Sequence, residues 1–92
     1  IGLIICSDVY SDPPMDFYTA QKVNILALST SWAQWDTGMT HFRAAARSAN
    51  AYLLAANQNY FPDSGVVNPN GTVQSHIRQT SGIAYGYVPR IK

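Results

Sequence analysis

Among residue types that do covalent chemistry, one is placed where a reaction could be run. Cys6, the single cysteine, ends the apolar run Ile1–Ile5 and is followed at once by the polar Ser7-Asp8. In open α/β sheets, ligands bind at the carboxyl ends of strands. A cysteine there, on a sharp turn leading toward a helix, would be exposed while its strand held it rigid, as a nucleophile requires. The competing account is that a free cysteine is a small buried hydrophobe with no chemistry. Position alone does not separate the two. His41 and His76 are the only histidines, and either one paired with Cys6 would make a Cys–His hydrolase. His41 near a helix start and His76 on an alternating strand are both expected to face solvent. The five acids are Asp8, Asp12, Asp16, Asp36 and Asp63, and there is no glutamate. Two histidines and one cysteine fit no structural zinc pattern, so no metal or other cofactor is expected.

The elements that would position these groups are short. The chain has 92 residues, 47% of them hydrophobic and 12% charged; soluble domains usually carry about 25% charge. So few charges suggest that part of the surface is normally covered. The chain starts at Ile1, directly in an apolar run, and reads as a piece of something larger. Its net charge of +1, with four scattered arginines, makes no basic stripe, so nucleic acid is not an expected partner. No apolar run approaches the roughly 18 residues of a membrane span. Compartment stays undetermined.

Three apolar runs, Ile1–Ile5, Val23–Leu28 and Ala51–Ala56, are nearly continuous, which suits strands buried on both faces. Asp12-Pro13-Pro14 predicts a helix start, with Asp12 as N-cap, and Met15, Phe17 and Tyr18 follow as an amphipathic segment ending near Lys22. Asp36 or Thr37 would cap a second helix whose Met39, Phe42, Ala46 and Ala49 form one stripe. Arg43, Arg47 and Asn50 lie on its opposite, solvated side. Strand-helix-strand-helix-strand is the pattern of parallel α/β units. Asn68-Pro69-Asn70-Gly71 predicts a turn joining Gly65–Val67 to Thr72–Gln79 in a hairpin. Ile83, Tyr85 and Tyr87 alternate with smaller residues as a final strand would. Asn70-Gly71-Thr72 is also an N-glycosylation sequon, although a turn alone explains Asn-Gly.

The segment Gly2-Leu3-Ile4-Ile5-Cys6-Ser7-Asp8 resembles the nucleophile strand of the nitrilase superfamily, the carbon–nitrogen hydrolases. There an apolar strand ends in cysteine, one variable residue and an acid. Ile25-Leu26-Ala27-Leu28-Ser29-Thr30-Ser31-Trp32 is similar to that family's second strand, with Ser29 where proline is usual. The unit from Phe42 to Asn57 fits the next helix and strand. Ser64 to Gly71 fits the late strand and its proline–glycine turn. The ordered set covers essentially the whole chain. Asp8, Asp12-Pro13, Thr30-Ser31-Trp32 and Tyr60-Phe61-Pro62 look nearest to the biotinidase and vanin branch, with bacterial amidases that have Asp after the cysteine close behind. Ser48-Ala49 replaces the Glu-Asn pair of many other branches.

The resemblance implies the C-terminal half of an αββα sandwich. It also implies cysteine acylation: attack by Cys6 on the carbonyl or nitrile carbon of a small-molecule amide or nitrile, then hydrolysis of the thioester. The backbone N–H of Ser7 would be an oxyanion donor. Thr30 and Trp32 would line the acyl pocket, although Trp32 could equally pack on the sheet. Asn57 has a strand-end role, and Asp8 would fix the turn. The family's general base is a glutamate and its second helper a lysine, both upstream of the cysteine strand. No glutamate exists here, and Lys22 and Lys92 match no lysine motif. The chain is therefore expected to need a missing N-terminal half and to be inactive alone. The alternatives are a non-catalytic half-domain that works by association, with homo-oligomers open, and a self-sufficient Cys–His hydrolase.

Overall fold

The fold is that of a computed structural model, in which residues 1–31, 38–57, 63–77 and 82–89 are described. Its elements are β1 (Gly2–Ile5), a 3-10 turn (Cys6–Tyr10), α1 (Asp12–Ala20), β2 (Ile25–Ser29), α2 (Gly38–Ala49), β3 (Tyr52–Ala56), β4 (Ser64–Val67) and β5 (Val73–Ile77). They make an α/β unit with one five-stranded sheet in the order β1-β2-β3-β4-β5. The first three strands are parallel, and β4 and β5 add as antiparallel neighbours. The two parallel crossovers put both helices on one face of the sheet, where α1 and α2 meet. The helices and that face share one core, formed by Ile4, Leu26, Leu28, Leu53 and Val67 from the strands with Met15, Phe42, Ala45, Ala46 and Ala49 from the helices.

Helix α1 begins one residue earlier than its Asp-Pro-Pro signal suggests. Ser11 takes the N-cap position and Asp12 opens the helix itself. There its carboxylate favours the positive helix end, and Pro13 and Pro14 lack only N–H groups that no intrahelical acceptor would have used. Met15 is buried, whereas Phe17 is exposed and meets Tyr18 edge-on. Helix α2 carries the expected stripe, with Phe42, Ala45, Ala46 and Ala49 buried and Met39 packed against them. Its proposed local caps, Asp36 and Thr37, lie outside the described residues.

Both helices end in the same way. Val23 N donates to Tyr18 O and Lys22 N to Thr19 O; Ala51 N donates to Ala46 O and Asn50 N to Arg47 O. These paired bonds are the Schellman arrangement, which needs a left-handed residue after the C-cap. Lys22 (φ 53°) and Asn50 (φ 52°) supply it. Asparagine adopts that region at lower cost than lysine. Lys22→Gly is therefore expected to stabilise the fold by about 1 kcal/mol, less the entropy a glycine gains on unfolding, as urea denaturation would measure. Asn50→Gly should gain less.

The β4–β5 hairpin turns through Asn68-Pro69-Asn70-Gly71 as expected. Asn68 N donates to Thr72 O at 2.8 Å and Gly71 N to Asn68 O at 2.9 Å. Gly71 has φ +87°, and a Cβ there would stand 2.6 Å from Nη1 of Arg47, so this position needs glycine twice over. Arg47 is thus laid along the turn, and Arg43 Nε donates to Gly71 O at 2.7 Å. The two arginines were expected on a merely solvated face. They instead fasten the hairpin to α2, because the antiparallel return of β4 and β5 brings the turn over that helix.

Two further expectations fail. Strands β1, β2 and β3 are fully buried on one face only, and on the other Leu3 is 70% and Ile5 68% exposed, with Leu54 also exposed. Their continuous apolar runs signal two covered faces, yet this chain supplies one layer of helices. Residues 82–89 form no strand. Their backbone is held by a side chain instead: Gln74 Nε2 donates to Tyr87 O at 2.7 Å, and Tyr87 N donates to Gln74 Oε1 at 2.6 Å. Gly86 sits directly on Val66. Among the described residues no helix is long and apolar enough to cross a membrane.

Candidate active site

The parallel register decides which groups meet. Ile5 pairs with Ser29, and Ser29 with Ala56. Cys6, Thr30 and Asn57 are the next residues, so they stand side by side at the carboxyl edge of three adjacent strands. Trp32 lies outside the described residues, as do Tyr60-Phe61-Pro62 and Lys92.

Cys6 is exposed and unpaired in any disulfide, so burial as a small hydrophobe does not account for it. Its φ is +50°, a left-handed conformation that costs a non-glycine residue about 1–2 kcal/mol. Strain of this kind collects at functional turns, including those that lift a nucleophile off a strand end toward a helix. The surroundings hold the turn in place. Asp8 Oδ2 accepts a hydrogen bond from Ile5 N at 3.0 Å, and Asp8 O accepts one from Ser11 N at 3.1 Å. Val9 is buried in the core one residue later. Ser7 is the second residue of this 3-10 turn, and the first N–H groups of a helical turn lack acceptors inside it. Its amide is thus of the kind that can serve an external anion.

Thr30 N donates to Ala56 O at 3.0 Å, carrying the β2–β3 ladder one rung past the strand ends. Its Oγ1 is buried and has no hydrogen-bond partner among the described residues, an exception of the sort that asks for an explanation. Asn57 N donates to Ser64 Oγ at 2.8 Å, tying the end of β3 to the start of β4.

Sequence reasoning missed a second cluster on this edge. Asp63, which reads as a turn residue, accepts through Oδ2 from Met39 N at 2.7 Å and through Oδ1 pairs with His76 Nε2. It caps α2 from across the fold, where its charge suits the helix end. His76 is therefore half-buried and paired, not solvent-facing. A cap search confined to residues next to α2 could not find it, since Asp63 is 24 residues away from Met39. His76 sits on β5 and Cys6 at the end of β1, four strand spacings apart, or roughly 19 Å. His41 lies in the groove between α1 and α2 beside the outward-facing Asp12, Asp16 and Ser48. Neither histidine adjoins Cys6. Among the described residues no three of His, Cys, Asp or Glu converge as a metal site would require.

A groove on the open sheet face is floored by Ala27, Leu54, Ala56 and Val66 and walled by residues 82–86. Cys6 does not line it, although Ser29 and Asn57 at the same strand edge do.

No family model matches the sequence, and no curated protein matches it significantly. The fold does find solved counterparts. The NitFhit protein of C. elegans superposes with a TM-score of 0.73 at 24% identity, over 86% of this chain and 22% of that one. Saccharomyces cerevisiae Nit3, a member of branch 10 of the nitrilase superfamily, gives 0.73 at 16% identity over 85% of this chain and 33% of its own. An amidase from Nesterenkonia sp. gives 0.72 at 21% identity over 83% and 32%; a variant of it was solved with the acetamide moiety of fluoroacetamide added covalently to its active-site cysteine. This chain thus spans between a fifth and a third of the length of these structures. Over that span, its mixed sheet and two helices have the fold of a nitrilase-superfamily domain.

Proposed function

We propose that this chain is the nucleophile-bearing half of a carbon–nitrogen hydrolase that cleaves a non-peptide amide, or a nitrile, through a thioester on Cys6. The observation that carries this is Cys6 itself: exposed, left-handed in φ, and lifted off the carboxyl end of a strand in a fold shared with such enzymes. The Cys6 thiolate adds to the carbonyl carbon, and the N–H of Ser7 donates to the oxyanion that develops. The amine leaves with a proton, and water then cleaves the thioester. Thr30, with its unpartnered hydroxyl, lines the acyl side, a role the resemblance also gives to Trp32. Asp8 and Asn57 hold the edge in place.

The resemblance assigns the proton transfers to a glutamate base. There is no glutamate. Lys22 follows the end of α1, at the opposite edge of the sheet from Cys6. Base and lysine therefore come from a preceding half-domain, whose sheet would cover the open face that carries Leu3 and Ile5 at the sheet-on-sheet spacing of about 10 Å. Within the superfamily, Asp8 and Asp12-Pro13 favour a biotinidase- or vanin-like member over a plain amidase.

The same open apolar face favours one second reading, a half-domain that acts only by association with another copy or partner. The two are separated by thiol reactivity. Iodoacetamide is expected to alkylate Cys6 rapidly in the full-length protein and slowly in the 92-residue chain, because the thiolate needs the missing charged partners. Equal, slow reaction in both would favour association without catalysis. A self-contained Cys–His hydrolase has the least support, since neither histidine is beside the thiol.

A further inference from the structure

We propose that Asp63 and His76 are a positioning pair for the carboxyl edge: they hold in place the strand ends that carry Thr30 and Asn57, and substrate binding depends on them although neither touches substrate. This role rests on the hydrolase reading above and concerns two residues to which that reading gives none.

Asp63 is the corner where three elements are joined. Its Oδ2 accepts from Met39 N at 2.7 Å. Met39 is the second residue of α2, and a helix has no acceptor of its own for its first N–H groups. Asp63 Oδ1 meets His76 Nε2 on β5; an ionised carboxylate only accepts, so Nε2 carries the hydrogen of that bond. Asp63 itself is the residue before β4. One carboxylate thus fixes the start of β4 to a helix and to the outer strand of the hairpin. Both side chains are half-buried, so a group left unpaired there carries a desolvation cost. Packing agrees with the bonds. His76 lies opposite Gly65, where a Cβ would stand 2.4 Å from Ser75 O and 3.4 Å from Met39 Cε. The close approach of β5 and Met39 across that glycine brings both donors to one carboxylate.

A continuous run of bonds connects this corner to the edge beside Cys6. The β3–β4 ladder has its last pair at Ala55 and Gly65. Beyond it, Asn57 N donates at 2.8 Å to the hydroxyl of Ser64, the residue next to Asp63. Thr30 N donates in turn to O of Ala56, the residue before Asn57. Asp63 therefore anchors Ser64, Ser64 anchors Asn57, and the end of β3 anchors Thr30. Cys6 stands outside this run, because its own turn is held by Asp8. Loss of the corner should loosen the acyl side and leave the thiol chemistry intact.

The test is ammonia release from propionamide by the full-length protein, with KM and kcat measured for each variant and alkylation of Cys6 by iodoacetamide as a separate reading. Asp63→Ala is expected to raise KM about tenfold, with kcat and the alkylation rate within about twofold of wild type. His76→Ala leaves the helix cap in place and should raise KM in the same direction by less. Asp63→Asn keeps an acceptor for Met39 N, and His76→Gln keeps a donor for the carboxylate; both should hold KM within about twofold of wild type. Unchanged KM in both alanine variants would overturn the proposal. So would a fall in kcat that merely follows a smaller folded fraction while KM stays put, which marks a purely structural pair. Equal ammonia release by wild type and Cys6→Ala would instead remove the hydrolase reading beneath it, a result visible without the Asp63 and His76 variants.

Discussion

On the proposed mechanism, replacing Cys6 by serine or alanine in the full-length protein is expected to lower kcat/KM for amide hydrolysis by at least about a thousandfold. Substrate affinity should change little. In the proposed mechanism the thiol forms the covalent bond, whereas other groups grip the acyl side of the substrate. Serine keeps the size and the turn, so a folded, binding, inactive protein is the anticipated product, and its circular dichroism should overlay that of the wild type. Alanine gives the same loss without a hydroxyl. Both variants retain a non-glycine residue at φ +50°, so the strain of the turn is not relieved and stability is not the variable. Cys6→Gly is the informative contrast. It should abolish turnover while stabilising the fold modestly, by the fraction of the left-handed cost that glycine's greater unfolded freedom does not cancel. A loss of activity that accompanies a gain of stability separates chemistry from folding at this one position.

Phe42→Ala should produce the largest loss of stability. Phe42 is fully buried, 0% exposed, on the face of α2 that meets the sheet. Its neighbours along the helix are Ala45, Ala46 and Ala49, and Ala51 follows the helix. Such small side chains cannot move in to fill the space left by a phenyl ring, so the cavity term adds in full to the lost transfer energy. Truncations of this kind cost about 3–5 kcal/mol, a large fraction of the 5–15 kcal/mol typical of whole domains. The paired control is Phe17→Ala, at a position 59% exposed, which should change stability by less than about 0.5 kcal/mol. Urea denaturation reads both as shifts in midpoint at constant slope.

Periodicity and turn chemistry made most of the layer legible in the sequence. The runs ending at Ile5 and Leu28 locate β1 and β2 to within a residue or two. The stripe through Phe42, Ala46 and Ala49 locates α2 and the face it buries. The proline–glycine turn locates the hairpin. These signals are local, and their physical causes lie within a few residues. What stayed hidden was tertiary. Asp63 caps a helix that starts far upstream in sequence, Gln74 imitates a strand to hold Tyr87, and Arg43 and Arg47 fasten a turn 24 or more residues further on. Each depends on a pairing that no local pattern announces. The two-sided apolar character of β1 was legible but ambiguous, since it states that both faces want cover without saying which chain covers them. Cys6 illustrates the division. Its place at a strand end could be read directly, whereas its exposure and left-handed backbone required the fold.

The absence of glutamate and the open sheet face lead to the same expectation, that Cys6 attacks and something outside these residues supplies the base. The most direct measurement is mass spectrometry of the full-length protein, acid-quenched during turnover of a slowly hydrolysed amide. The account predicts an acyl adduct on the tryptic peptide that ends at Lys22, carried by Cys6, lost on further incubation and absent from Cys6→Ala. Undiminished turnover by Cys6→Ala, or an acyl group found on any other residue, would contradict it.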